Sequence, residues 1–272
     1  MSSRDKTRNL QEVAMRRLAG IMVVIMLVAV PVVSRAMHPL ITDDDGTQGK
    51  GKYQFEVNAS YGKDRIADAG STVRTVGSGL VANLTYGAAE ALDVFVETPY
   101  AWWRAKTDGD VLGSERGIAD VSVGAKWRFF EKDGLCFAVK PAITIPTGDE
   151  NKELGTGKAG YGVYLIATKE FEPAALFLNL GYIKNENKAG EEKDIWHVSL
   201  AGTYEVVKHL KLAANMGMEK NRDKAIDKDP AFGLVGVIYG VNDDLDLSFG
   251  VKRGLNDAET DLTLLAGVTM RF

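Results

Sequence analysis

Apolar side chains recur at every second position along most of this chain, and the pattern runs through its last residue. "LTLLAGVTMRF" places Leu262, Leu264, Ala266, Val268, Met270 and Phe272 on one side, with Thr263, Gly267, Thr269 and Arg271 between them. Alternation with period two is the mark of a strand whose two faces meet different surroundings. "YQFEVNASY" sets Tyr53, Phe55, Val57, Ala59 and Tyr61 against Gln54, Glu56, Asn58 and Ser60. "ADVSVGAKWRF" (119–129) and "LDLSFGVK" (245–252) repeat the scheme. Soluble domains usually let their termini fray into polar residues. Here the last residue is expected to belong to a strand.

The same pattern predicts strands near 52–62, 73–86, 92–103, 118–130, 135–146, 161–169, 174–184, 195–205, 210–220, 231–240, 245–253 and 262–272. The registers of the second, which is rich in glycine, and of the tenth, "AFGLVGVIYG", apolar on both faces, stay open. About twelve strands is an even number, as single-chain bacterial barrels require. The connections alternate in length. Short links fall at 87–91, 131–134, 170–173, 206–209 and 241–244; longer polar ones fall at 63–72, 104–117, 147–160, 185–194, 221–230 and 254–261. Short periplasmic turns and longer extracellular loops produce this asymmetry in outer-membrane barrels.

Aromatic residues decide between a barrel and a β-sandwich. On the apolar face Tyr53, Tyr86, Trp127, Phe129, Tyr204 and Phe272 fall at one end, and Tyr61, Tyr100, Trp102, Tyr161, Tyr182 and Trp196 at the other. Two girdles with aliphatic residues between them suit a bilayer with two headgroup boundaries. A sandwich would keep its aromatic residues in the middle. The expected fold is therefore an all-β, antiparallel transmembrane barrel of about twelve strands. Such a barrel has no free edge, so its last strand pairs with its first and Phe272 closes the seam. A terminal aromatic residue after alternating apolar ones also matches the signal read by the bacterial barrel-assembly machinery, an expected partner.

The only long apolar run is "GIMVVIMLVAVPVV" (20–33), preceded by Arg16 and Arg17 and followed by "SRA". A charged start, a short apolar core and a small-residue exit make a secretory signal peptide. The run is shorter than the roughly 20 residues of a spanning helix and contains Pro31. Cleavage is expected after Ala36, with residues 1–14 an over-extended start before Met15. Beyond the leader, acidic residues outnumber basic ones by eight. That balance argues against a nucleic-acid partner, because phosphate binding needs a basic face. One cysteine, Cys136, excludes an internal disulfide and a CxxC pair.

Four stretches resemble the "MetA-pathway of phenol degradation" family of outer-membrane proteins, whose barrels are transporter-like. They are "HPLITDDDGTQGKGKYQFEVN" (38–58), "ADVSVGAKWRFFEKDG" (119–134), "PAITIPTGDENKELGTGKAGYG" (141–162) and "TDLTLLAGVTMRF" (260–272). The resemblance covers essentially the whole chain after the leader. It implies a barrel that helps small, often aromatic, compounds cross the outer membrane; it brings no catalytic motif and no substrate identity.

Motifs that carry chemistry elsewhere are weak here. "GTGKAG" satisfies GxGxxG with Gly155, Gly157 and Gly160, but it sits in a long loop and leads into a strand, whereas a nucleotide fingerprint opens a helix. Asp43, Asp44 and Asp45 lack the alternating ligand spacing of a calcium loop, and an Asp-Gly turn accounts for them. No metal and no cofactor is expected. Among His38, His197 and His209, only His197 is expected to face the lumen, with no second histidine or paired carboxylate at a matching height on an adjacent strand; an outer-membrane hydrolase is the least favoured reading.

The inward face carries Glu56, Asp93, Glu97, Asp120, Lys126, Arg128, Lys140, Lys211, Glu219, Asp246, Lys252 and Arg271, expected mostly to brace the wall by cross-strand ion pairs. Phe95, Trp103, Tyr164 and Phe177 stand among them. Either these aromatic groups offer a path for amphipathic solutes or they fill a small barrel. Phe95, Glu97 and Lys140 share one height, with only Gly124 between their strands. A constriction is therefore expected there, with Tyr164, Phe177 and His197 lining the lumen.

The expected organisation is a signal peptide (1–36), a periplasmic segment or partial plug (37–51) and a barrel (52–272). The expected role is passive passage of small apolar or aromatic molecules through the outer membrane, with lipid and solute as partners. A closed structural barrel acting through its extracellular loops is the alternative.

Overall fold

The computed structural model describes residues 38–68, 71–107 and 110–272; the leader expected at 1–36 lies outside them. Thirteen strands follow in order: β1 (Tyr53–Asp68), β2 (Ser71–Ala89), β3 (Leu92–Thr107), β4 (Asp110–Ile118), β5 (Val121–Lys132), β6 (Leu135–Ile145), β7 (Gly160–Phe171), β8 (Ala174–Lys184), β9 (Asp194–Val207), β10 (Leu210–Glu219), β11 (Ala231–Asn242), β12 (Leu245–Gly254) and β13 (Leu262–Arg271). All pairings are antiparallel. β13 pairs with β1 from Gln54↔Arg271 to Lys63↔Leu262, so the sheet closes into a barrel. No helix among the described residues is long and apolar enough to cross a membrane; this fold crosses with strands.

Twelve strands form the ring, and β4 is an outward continuation of β5. Both lie on the same side of β3, β5 against Leu92–Glu97 and β4 against Tyr100–Thr107. The break between them sits opposite Pro99, which has no N–H to give the ladder. Only its carbonyl is used, accepting from the Ala119 amide at 2.9 Å. Two expected loops are therefore corrected. Residues 104–107 and 110–117 are the tips of β3 and β4, and 63–68 and 71–72 are the extended tips of β1 and β2. Beyond the bilayer boundary neither face of a strand needs apolar residues, so alternation vanishes while the ladder continues.

Outward positions match the bilayer pattern. Leu80, Val123, Leu165, Leu180, Leu200 and Val235 are exposed, as are all twelve girdle aromatic residues. At the seam Phe272 stacks on Tyr53, ring centres 6.4 Å apart, and the two backbones exchange hydrogen bonds of 2.7 and 3.0 Å. The two open registers are fixed by Tyr53↔Tyr86 for β2 and by Val237↔Phe249 for β11.

At the outer mouth the connection 146–159 folds inward. Leu154 is buried on Ala101, Trp103 and Ala105, and Trp103 Nε1 donates to the Lys152 carbonyl. Asp120 pins both ends of this connection, accepting from the amides of Gly148 and Thr156 and from the Thr156 hydroxyl. Burial, with the neighbouring Glu115 carboxylate adding to it, pushes the Glu153 carboxyl up to about 7.

Candidate functional site in the barrel lumen

Residues 38–48 lie inside the barrel. A chain buried there without a ladder must find partners for its amides elsewhere, and the wall supplies them from side chains. Asn215 Oδ1 accepts from the amides of Ile41 and Thr42, at 2.6 and 3.2 Å. Asn179 engages both main-chain groups of Asp43, accepting from its amide at 2.7 Å and donating to its carbonyl at 2.9 Å. Thr168 accepts from Asp45, and the Asp93 carboxylate accepts from Gln48.

Charge ties the same segment down. Asp43 meets Lys140 at 2.5 Å and Lys126 at 3.6 Å; Asp44 meets Lys126 at 3.3 Å, and Asp45 meets Arg128 at 3.6 Å. Two expectations change here. The three consecutive aspartates do form a local turn, Gly46 donating to Asp44 Oδ1, but they also clasp three cations of the wall. Those cations therefore pair with the N-terminal segment and not mainly across strands. Cross-strand bracing holds for Arg271 with Asp246, at 2.6 Å.

The segment runs round the wall in strand order. Gln48 is at β3, Asp43 at β6 and β8, and Thr42 at β10. Leu40 is fully buried on Phe177, Ala201, Ala213, Phe232 and Leu234. This explains why β11 is apolar on both faces: one face meets lipid and the other meets Leu40. Pro39 then rests on β11 and β12, where a Cβ at Gly236 or Gly250 would come within 2.5 or 2.7 Å of its ring. His38, the first described residue, has its Nδ1 2.7 Å from Ser248 Oγ. His38 is thus a second histidine inside the lumen, which its place in the sequence did not suggest.

Four of the expected lumen residues form a belt above this hoop. Phe95 lies across Gly124, and Lys140 Nζ is 4.9 Å from the centre of its ring. Tyr164 is the cross-strand neighbour of Lys140 and meets His197 edge-on at 5.5 Å. Glu97, 1% exposed, stands on the lumen face of β3 one step farther out than Phe95. Phe177 is separate, lower in the barrel under Leu40. The close approach at Gly124 is structural. A Cβ there would stand 2.5 Å from Phe95 Cζ and from the Pro141 carbonyl oxygen. Gly124→Val should therefore destabilise the barrel by about 1–3 kcal/mol through overpacking, read as a lower urea midpoint for loss of the folded gel band.

His197 also corrects an expectation. Glu219 lies directly opposite it on β10, with Nδ1 and Oε2 3.3 Å apart, and Nε2 is 3.0 Å from Ser199 Oγ. Histidine, serine and carboxylate are in line, and Ser199 is 1% exposed. The residues that sequence reasoning missed, Asn179, Asn215 and Thr168, are inward polar groups. Asparagine, depleted in strands, was the available signal.

The family described as "Putative MetA-pathway of phenol degradation" matches residues 38–272. The chain belongs to this family. The match covers the described hoop as well as the barrel. No curated protein sequence matches the chain. Among solved structures, an outer membrane channel from Pseudomonas putida F1 superimposes with a TM-score of 0.67 at 14% identity, covering 84% of this chain and 98% of that one. The NanC porin gives 0.53 at 10% identity, covering 79% and 98%. The KdgM porin gives 0.52 at 10% identity, covering 80% and 99%. At such identities the likeness shows the fold that this chain shares with them.

Proposed function

We propose that this protein is an outer-membrane channel through which small apolar or aromatic molecules pass passively, reached by export behind a cleaved signal peptide. The observation that carries this reading is the construction of the lumen. Its N-terminal hoop is held by side-chain hydrogen bonds and ion pairs that water can replace, and an aromatic ring with a cation against its face stands above it. A barrel with only a structural task has no use for such replaceable contacts. The channels and porins that share its fold support the same reading.

The packing of Leu40 favours a second reading, a barrel kept shut that acts through its loops. Single-channel recording of the refolded full chain separates the two. Discrete conductance steps are expected, and a membrane that stays sealed after verified insertion refutes the channel.

Phe95→Ala tests the aromatic part. Removing the ring widens the belt, so uptake of sugars in liposome swelling should rise. The preference for an aromatic solute of matched size should fall about fivefold, since ring contacts contribute ~1 kcal/mol. Unchanged rates for both solutes would place the selective path elsewhere.

A further inference from the structure

The outer mouth holds a cation one of whose nitrogens finds no hydrogen-bond partner among the described residues. Arg222, on the connection between β10 and β11, is 5% exposed. Its Nη2 is buried and has no hydrogen-bond partner among the described residues. Its nearest carboxylate contact, Nε to Glu219 Oε1, spans 3.9 Å, too long for a hydrogen bond. A buried guanidinium N–H left unmade is costly, and native structures seldom keep one without a ligand or water to fill it.

Arg222 lines a cavity of about 50 Å³ between the ends of β7 and β8 and the connection 146–159. Leu154, Ile183 and Pro99 supply apolar walls, and Thr156 and Asn185 supply polar ones. The two acidic groups that also border it are already engaged. Asp120 accepts three hydrogen bonds from Gly148 and Thr156, and Glu186 pairs with Lys193 at 3.1 Å. The group left to meet a ligand is therefore positive. The space suits a carboxylate head.

We propose that Arg222 receives the carboxylate of a small monocarboxylic acid, whose head enters the cavity between Leu154 and Ile183 while its apolar body stays in the mouth outside it. This rests on the channel reading and narrows it to anions of small apolar or aromatic acids, captured at the outer mouth. A guanidinium fork matches a carboxylate in shape as well as charge.

Benzoate, with benzyl alcohol as the neutral match, is the probe, measured by equilibrium dialysis against the refolded full chain. Wild type should bind benzoate, and Arg222→Gln should lower the affinity at least tenfold while leaving benzyl alcohol unchanged. Arg222→Lys keeps the charge without the fork and should fall between them. Heat-modifiable gel mobility confirms that each variant is folded. Benzoate binding that is absent from wild type, or equal in wild type and Arg222→Gln, overturns the proposal and assigns water to the cavity. Dialysis needs no conductance, so a conducting protein without Arg222-dependent binding loses the site alone. A sealed one with such binding loses the channel alone.

Discussion

Asp43→Ala should widen the lumen and raise single-channel conductance several-fold. Asp43 is the carboxylate between Lys140 and Lys126, and all three side chains are almost completely buried. Removing one partner of a buried ion pair costs ~3–5 kcal/mol, because the remaining charges are left in a poor solvent. Here the protein has an escape that a packed core lacks. The hoop can leave the wall and water can reach the lysines. A shift of ~3 kcal/mol changes the ratio of seated to released segment by roughly a hundredfold. Limited proteolysis should then cut within residues 38–51 in the variant and spare them in the wild type. Asp43→Ala combined with Lys140→Ala should be milder than Asp43→Ala alone, since the second change removes one of the stranded charges. A wild-type conductance in Asp43→Ala would show that the ion pair does not hold the segment in place.

Phe272→Asp should lower the yield of folded barrel several-fold, and deletion of Phe272 should do at least as much. The residue forms the last backbone hydrogen bonds of the seam with Tyr53 and stacks on its ring. Two backbone bonds at ~1 kcal/mol each and a stacked pair at ~1 kcal/mol are lost where the barrel must close. Phe272→Tyr keeps the stack and should fold like the wild type. Leu255→Asp, on an exposed loop position, should cost little and serves as the control. Heat-modifiable gel mobility reads all four variants. If Phe272→Asp folds as well as Leu255→Asp, the terminal residue is neither a seam closure nor an assembly signal.

The barrel was legible because its solvent is layered. Lipid on one side and a polar lumen on the other impose period two on every strand, and headgroups place the aromatic residues at both ends. The hoop was not legible, because its bonds join residues far apart in sequence. Asp43 and Lys140 are 97 positions apart, and nothing local to "TDDDGTQG" distinguishes a clasp from a turn. The available trace lay on the partner side, in the inward Phe232 and Leu234 of a strand with no polar face. The belt fared better. Phe95, Lys140 and Gly124 could be set at one height by counting residues along neighbouring strands. Tyr164 and His197 joined them only through the register of β6 to β9, which counting left uncertain by a residue or two. Arg222 could not be foreseen, since it lies on a connection with no periodicity to show which way a side chain points.

The hoop also acts as a gauge. Nine of its eleven residues touch strands, from β3 round to β12. The segment therefore fits only one circumference and one stagger. A sheet with an added strand would carry Asn215 out of reach of Thr42, and a seam slipped by two residues would move Gly267 away from the ring of His38, which now lies beside it. Strand pairs are individually forgiving of such slips, because one backbone rung resembles the next. A single thread that must match the wall at nine places is not, and it converts a set of interchangeable local pairings into one permitted closure.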